Sequence, residues 1–140
     1  LEASARQNEA LFHQLAENYP GSVVTLFGKG FRIEYIGGHS MGTVNLDAAH
    51  MVGSCLFDHY DDARCAELRQ LYQGTWEGRS TAFDWEFNGR TFEVIVLPLR
   101  NGPGGEVSHL LNVSQDVTER RALERWAREQ QSLLEAIAHN

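Results

Sequence analysis

Phe83-Asp84-Trp85-Glu86-Phe87-Asn88-Gly89-Arg90-Thr91-Phe92-Glu93-Val94 is the stretch on which the fold turns. Aromatic residues at 83, 85 and 87 alternate with carboxylates at 84 and 86, the period-two pattern of a half-buried strand. Asn88-Gly89 then supplies two residues that accept the positive φ angles of a tight hairpin turn. A two-residue loop fixes the register. It sets Phe87 opposite Arg90, Trp85 opposite Phe92 and Phe83 opposite Val94 on one face, with Asp84 opposite Glu93 on the other. The aromatic face must therefore be the core face. The return strand runs from Thr91 to Leu99, and its Ile95, Leu97 and Leu99 fall on the opposite face. The outside of the sheet is thus apolar at that end and needs a cover, either an amphipathic helix of the same chain or a partner subunit.

Downstream, Asn101 to Glu106 is a Gly/Pro-rich loop and Val107 to Val113 reads as a last strand. Asp116-Val117-Thr118-Glu119 follows, an acceptor side chain with Glu three residues later, which resembles a capping box at a helix start. Leu123, Trp126, Gln130, Leu133 and Ile137 then repeat at spacings of three and four, a heptad seam with Gln in one central position. Such a seam either pairs two copies in a coiled coil or folds back on its own domain through Trp126 and Leu133.

Upstream, Glu2 to Asn18 contains neither Gly nor Pro, and Ala5, Leu11, Phe12 and Leu15 mark one helical face. Pro20-Gly21 ends this leader. Val23 to Phe27 and Phe31 to Ile36 read as a second hairpin around Gly28-Lys29-Gly30. Short helical pieces follow: a single turn capped by Asn45 or Asp47 and stopped at Gly53, then a longer helix started by Asp61 or Asp62 with Cys65, Leu68, Leu71 and Tyr72 on its apolar side. Two strands, then helices, then three strands is an α+β order, so the helices should pack on one face of an antiparallel sheet.

Composition narrows the function classes. The 140 residues suit one domain with helical extensions, and 42% hydrophobic residues suffice for a core. A net charge of -7 argues against a nucleic-acid partner, which needs a clustered basic face. No apolar run approaches the roughly 18 residues of a membrane span. Cys55 and Cys65 form no Cys-x-x-Cys pair, which points to free thiols in a reducing, cytoplasmic setting. Both ends are expected to continue in a longer protein, since the first residue is Leu and the last are still in helical pattern.

Catalytic signals are lacking. The six histidines (His13, His39, His50, His59, His109, His139) show no metal-ligand spacing, and no nucleophile elbow, phosphate loop or dinucleotide fingerprint occurs. The expectation is a non-catalytic chain. Asn112-Val113-Ser114 matches a glycosylation sequon but falls within a strand of an expected cytoplasmic domain.

Val52-Gly53-Ser54-Cys55-Leu56-Phe57-Asp58, the hairpin from Phe83 to Val94, Pro98-Leu99-Arg100, Gly105-Glu106-Val107 and Asp116-Val117-Thr118-Glu119-Arg120 together resemble a PAS domain, over about residues 18 to 121. The terminal five residues are similar to that family's Asp-(Ile/Val)-Thr-Glu-Arg exit motif. The resemblance implies a five-stranded antiparallel sheet with short helices on one face, an N-terminal amphipathic helix over residues 1–18, a PAS core over 19–118 and a signalling helix over 119–140. It also implies a sensory or relay role in a larger protein with an attached effector, such as a histidine kinase, diguanylate cyclase or phosphatase, and dimerisation through flanking helices. The alternative is a ligand-free dimerisation scaffold.

Asp116, Thr118 and Arg120 inherit the relay roles of the exit motif. Leu11, Phe12, Leu15, Leu123, Trp126, Leu133 and Ile137 are the dimer and linker candidates. Phe57, Tyr60, Leu68, Tyr72, Phe83, Trp85 and Phe92 would line any small-molecule pocket, with His39, Arg90 and His109 as polar candidates; core filling is the competing role for the aromatic residues. No resident cofactor is expected. Haem, through Cys65 or His59, is the first alternative and flavin the second, since neither cysteine sits in the Asn-Cys-Arg-Phe segment of photoreactive flavin members.

Overall fold

A computed structural model of the chain describes residues 10, 11, 13, 14, 17, 18, 21–38 and 47–139. Five strands form one antiparallel sheet: β1 (Ser22–Gly28), β2 (Arg32–Gly37), β3 (Thr81–Phe87), β4 (Arg90–Arg100) and β5 (Val107–Asp116), in the order β2-β1-β5-β4-β3. Helices α1 (Ala48–Met51), α2 (Asp62–Leu71) and α3 (Thr118–Ala138) accompany them, with 3-10 turns at Lys29–Phe31 and Leu56–His59. The last strand in sequence lies at the centre of the sheet, where it joins the two hairpins. Its central place makes β5 the element through which both halves of the sheet meet.

The β3–β4 register agrees with the pattern of the sequence, pairing Phe83 with Val94, Trp85 with Phe92 and Phe87 with Arg90. Asn88 and Gly89 take φ angles of 50° and 74°, the left-handed pair of a type I′ turn. Phe31 departs from expectation. Instead of opening β2 it sits in the 3-10 turn at φ 61°, and its ring meets those of Phe27, Phe57, Tyr72 and Trp76 edge to face. Tertiary burial among four rings outweighs the local preference of an aromatic residue for extended backbone.

Asp47 caps α1 through the Ala49 amide, and Asp61 caps α2 through the Arg64 amide at 2.8 Å. Helix α2 buries Cys65 and Leu68 against the inner face. Full burial of a leucine such as Leu68 contributes about 1.5–3 kcal/mol. Phe27, Ile33, Val96 and Leu110 are the most deeply buried parts of that inner layer.

The outer face carries a smaller apolar patch: Val24 and Leu111 are buried, while Leu26, Tyr35, Leu99 and Val113 are half-buried. Ile95 and Leu97 remain 41% exposed. The described residues of the leader (10, 11, 13, 14, 17 and 18) are helical, and His13 lies 3.5 Å from the Tyr35 hydroxyl, so the leader touches this outer face. Phe12 and Leu15 fall outside the described residues; Leu11 is exposed. Helix α3 does not fold back. From residue 122 to 139 every residue is exposed, including Leu123, Trp126, Leu133 and Ile137.

Candidate ligand cavity and exit junction

Between the inner face of the sheet and the short helices lies a cavity of about 370 Å³. Strand alternation builds its floor. Val23, Thr25 and Phe27 of β1, Phe83, Trp85 and Phe87 of β3, Phe92 and Val94 of β4, and Asn112 and Ser114 of β5 all project inward from period-two positions. Leu68 and Tyr72 from the α2 region, with Tyr60, close the opposite side. Asp47, His50 and His59 stand at the mouth, where His50 Nδ1 lies 2.6 Å from Asp47 Oδ2 and His59 Nε2 lies 2.7 Å from the Ser54 hydroxyl.

Six of the seven pocket candidates therefore border this space: Tyr60, Leu68, Tyr72, Phe83, Trp85 and Phe92. Phe57 does not; its ring meets Phe31 and carries the Arg69 guanidinium above it. Neither described polar candidate reaches the cavity. Arg90 points to the sheet's end, and His109 pairs with Glu34 at 2.9 Å on the outer face; His39 lies outside the described residues. The cysteines also turn away: the Cys65 thiol donates to the carbonyls of Phe57 and Tyr60, and the Cys55 thiol to that of Gly30. Among the described residues no thiol faces the cavity to ligate haem or form a flavin adduct, and His59 at the rim is engaged with Ser54.

The cavity's polar interior was less legible. Asn112 is 5% exposed, and its Nδ2 donates to the Tyr72 hydroxyl while Oδ1 has no hydrogen-bond partner in the protein. Trp85 Nε1 turns towards the Tyr60 hydroxyl but closes no hydrogen bond. Burial pushes the Tyr72 and Tyr60 phenols upward, so both remain protonated near neutrality. The available signal was the alternation Leu110-Asn112-Ser114, which puts an amide at an inward position of the central strand.

Four residues after Asn112, β5 ends in a second polar cluster. Asp116 Oδ1 accepts from the Thr118 amide at 3.0 Å and from its hydroxyl at 2.6 Å, while the same hydroxyl accepts from the Thr91 amide at 2.9 Å. Arg90 Nε donates to Asp116 Oδ2 at 2.8 Å, and Arg90 Nη2 donates to both Glu119 oxygens at 2.7 and 2.8 Å. The expected capping box is thus replaced. Val117 occupies the cap position without a side-chain bond, and Glu119 reaches across to β4 instead of back along its own helix.

Burial alone would raise the Asp116 carboxyl, but its bonds to Arg90 and Thr118 outweigh that and hold it below the ordinary 3.8. Arg120 does not join Asp116: it lies 3.6 Å from Glu93 and 3.7 Å from Glu124. Arg90, at the start of β4, takes the place the exit motif gave to Arg120. Arg121 adds a second tie, donating to Asp84 at 2.7 Å and to Glu93 at 3.2 Å, so the first turn of α3 is bound to both strands of the β3–β4 hairpin.

This sheet order, helix placement and exit junction define a PAS-type sensor fold. The sequence matches the family model described as PAS fold over residues 17–122, and the chain belongs to that family. Solved structures of similar fold include the PAS domain of Bordetella pertussis BvgS (19% identity, TM-score 0.61, 91% of this chain and 98% of that one). They also include a sensory box sensor histidine kinase from Vibrio cholerae (17%, 0.55, 84% and 97%). A third is a domain of an HTR-like protein from Haloarcula marismortui (17%, 0.55, 70% and 99%). No curated protein matches the sequence.

Proposed function

We propose that this chain is a non-catalytic sensory relay module of a larger signalling protein. A change at the cavity passes along β5 to α3 and so to an attached effector. One observation carries the reading: the strand that places Asn112 and Ser114 in the cavity wall ends at Asp116, whose carboxylate binds the first turn of the output helix. A ligand shifts such a module only by binding its two states unequally, and β5 is where both states would be felt. The fold's occurrence in a sensor histidine kinase supports an effector of that kind.

The test is Asp116→Ala and Thr118→Ala in the full-length protein. Both should abolish stimulus-dependent change in effector output while the sheet stays folded; the Thr118 change strands one amide at a cost of about 1–2 kcal/mol. Unchanged regulation in both variants removes the relay reading.

A second reading, a ligand-free homodimeric scaffold, is favoured by the exposed seam of Leu123, Trp126, Leu133 and Ile137. Native mass spectrometry separates the two, since a scaffold gives a dimer with no bound small mass.

A further inference from the structure

A groove of about 490 Å³ lies at the free edge of the sheet, separate from the cavity on which the relay reading rests. Its floor is β3 at Asp84, Trp85 and Glu86, with Arg64 and Glu67 of α2 on one side. Arg121, Arg125 and Arg128 of α3 stand on the other. β3 ends the sheet order, so no strand among the described residues pairs with its far side. The two-residue loop makes Phe87 and Arg90 a hydrogen-bonded pair, so Phe83, Trp85 and Phe87 turn their amides and carbonyls towards β4 while Ala82, Asp84 and Glu86 turn theirs outwards. These last three residues are exposed, and an exposed edge is a template for a further strand. Arg64 already answers part of that demand. Its guanidinium donates to the Glu86 carbonyl, where the amide of a neighbouring strand would stand.

The charge of the groove is opposite to that of the chain. Four guanidiniums, of Arg64, Arg121, Arg125 and Arg128, face three carboxylates, of Glu67, Asp84 and Glu86, whereas the whole sequence carries -7. Two of the carboxylates are engaged: Asp84 accepts from Arg121 at 2.7 Å, and Glu67 lies 3.5 Å from Arg64. The other arginines of the junction are matched as well, Arg90 by Asp116 and Glu119, Arg120 by Glu93 and Glu124. Arg125 and Arg128, in contrast, form no ion pair among the described residues, and both are exposed. At 100° per residue their face of α3 lies about 140° from the seam of Leu123, Trp126, Leu133 and Ile137, so pairing of that seam leaves them open.

We infer that this groove docks an extended acidic segment of a partner protein, which adds as a sixth strand beside β3 and sets alternate carboxylates against Arg125 and Arg128. Backbone pairing supplies affinity and the alternate side chains supply selectivity. Arginine suits the second task because its fixed fork of donors matches a carboxylate. The incoming amide takes the Glu86 carbonyl from Arg64, whose guanidinium now lies 3.5 Å over the Trp85 ring, and frees that cation for the segment. A seated segment spans the hairpin and the first turns of α3, so partner binding holds the output helix against the sheet from outside.

The test uses the 140-residue chain and the peptide acetyl-Thr-Glu-Val-Glu-Val-Glu-Thr-amide in isothermal titration calorimetry. The peptide should bind, more weakly as salt rises, and Arg125→Gln with Arg128→Gln should weaken it about tenfold. Two further peptides carry N-methyl groups, one on its glutamates and one on its valines, with charge unchanged. Only one set of amides faces β3, so one N-methyl peptide should lose about tenfold and the other almost nothing. Hydrogen exchange at the Asp84 and Glu86 amides should slow with the parent peptide, and the Trp85 indole resonance, assigned through Trp85→Phe, should shift as Arg64 leaves its ring.

No binding of the parent peptide overturns the inference, as does equal binding of the two N-methyl peptides. Tripolyphosphate that binds as tightly as the peptide and displaces it would show an anion site without strand pairing, and overturns it too. Unweakened binding in the double arginine variant, whose exposed positions leave the fold intact by thermal melting, would place the peptide elsewhere and has the same consequence.

Discussion

At the scale of single residues, Asp116 does the most. Its carboxylate accepts from Thr118 and Arg90 at once and its side chain is only 6% exposed, so its ionisation is tied to the junction's integrity. A carboxyl whose folded pKa lies below its unfolded value stabilises the fold above the unfolded value, and that contribution is lost as pH falls through the folded one. The junction should therefore be intact from neutrality down past pH 3.8 and release only below it. Carboxyl-carbon NMR titration of Asp116 should show a midpoint under that value, and Arg90→Met should move the midpoint upward. A midpoint unmoved by Arg90→Met would mean that Thr118 alone holds the charge. Asp116 and Thr118 stand out in the chain because a short motif places them together. Arg90 does not, because its partner is 26 residues away and only the β4–β5 register brings them into contact.

At the scale of elements, two glycines separate backbone preference from packing. Gly89 turns the β3–β4 hairpin at φ 74° with open space where a side chain would go. Gly89→Ala should thus cost only the left-handed penalty, about 1–2 kcal/mol. Gly38 follows β2 at φ 138°, and a Cβ there would stand 2.2 Å from the Ser22 carbonyl oxygen. Gly38→Ala should cost more than Gly89→Ala, about 3 kcal/mol or above, because strain and a backbone clash add. Urea unfolding of the two variants checks the order, and a smaller loss at Gly38 would show that β1 and β2 can part there without penalty. The Asn88-Gly89 hairpin was readable since its turn type, register and aromatic face all follow from local rules. Phe31 was not, because its left-handed turn is stabilised by four rings that come from distant parts of the chain.

At the scale of the whole molecule, α3 leaves the domain with its apolar seam uncovered and Ile95 and Leu97 half-open on the sheet's outer face. No helix among the described residues is long and apolar enough to cross a membrane. The seam should pair two copies. Sedimentation of the chain should show a concentration-dependent dimer, and Leu133→Glu should shift it to monomer with little change in the melting of the domain, since Leu133 is 56% exposed and contacts no core. Monomer at every concentration in the parent chain would remove the coiled-coil part of the proposal.

By itself the sequence determined the α+β order and the β3–β4 hairpin register, because each follows from periodicity and turn chemistry over a few neighbouring residues. Tertiary structure alone decided that Asn112 and Trp85 share one cavity, that Arg90 rather than Arg120 grips Asp116, and that α3 stands clear of the sheet. Each of these joins residues far apart in the chain, and such contacts are set only when the whole sheet closes around its central strand.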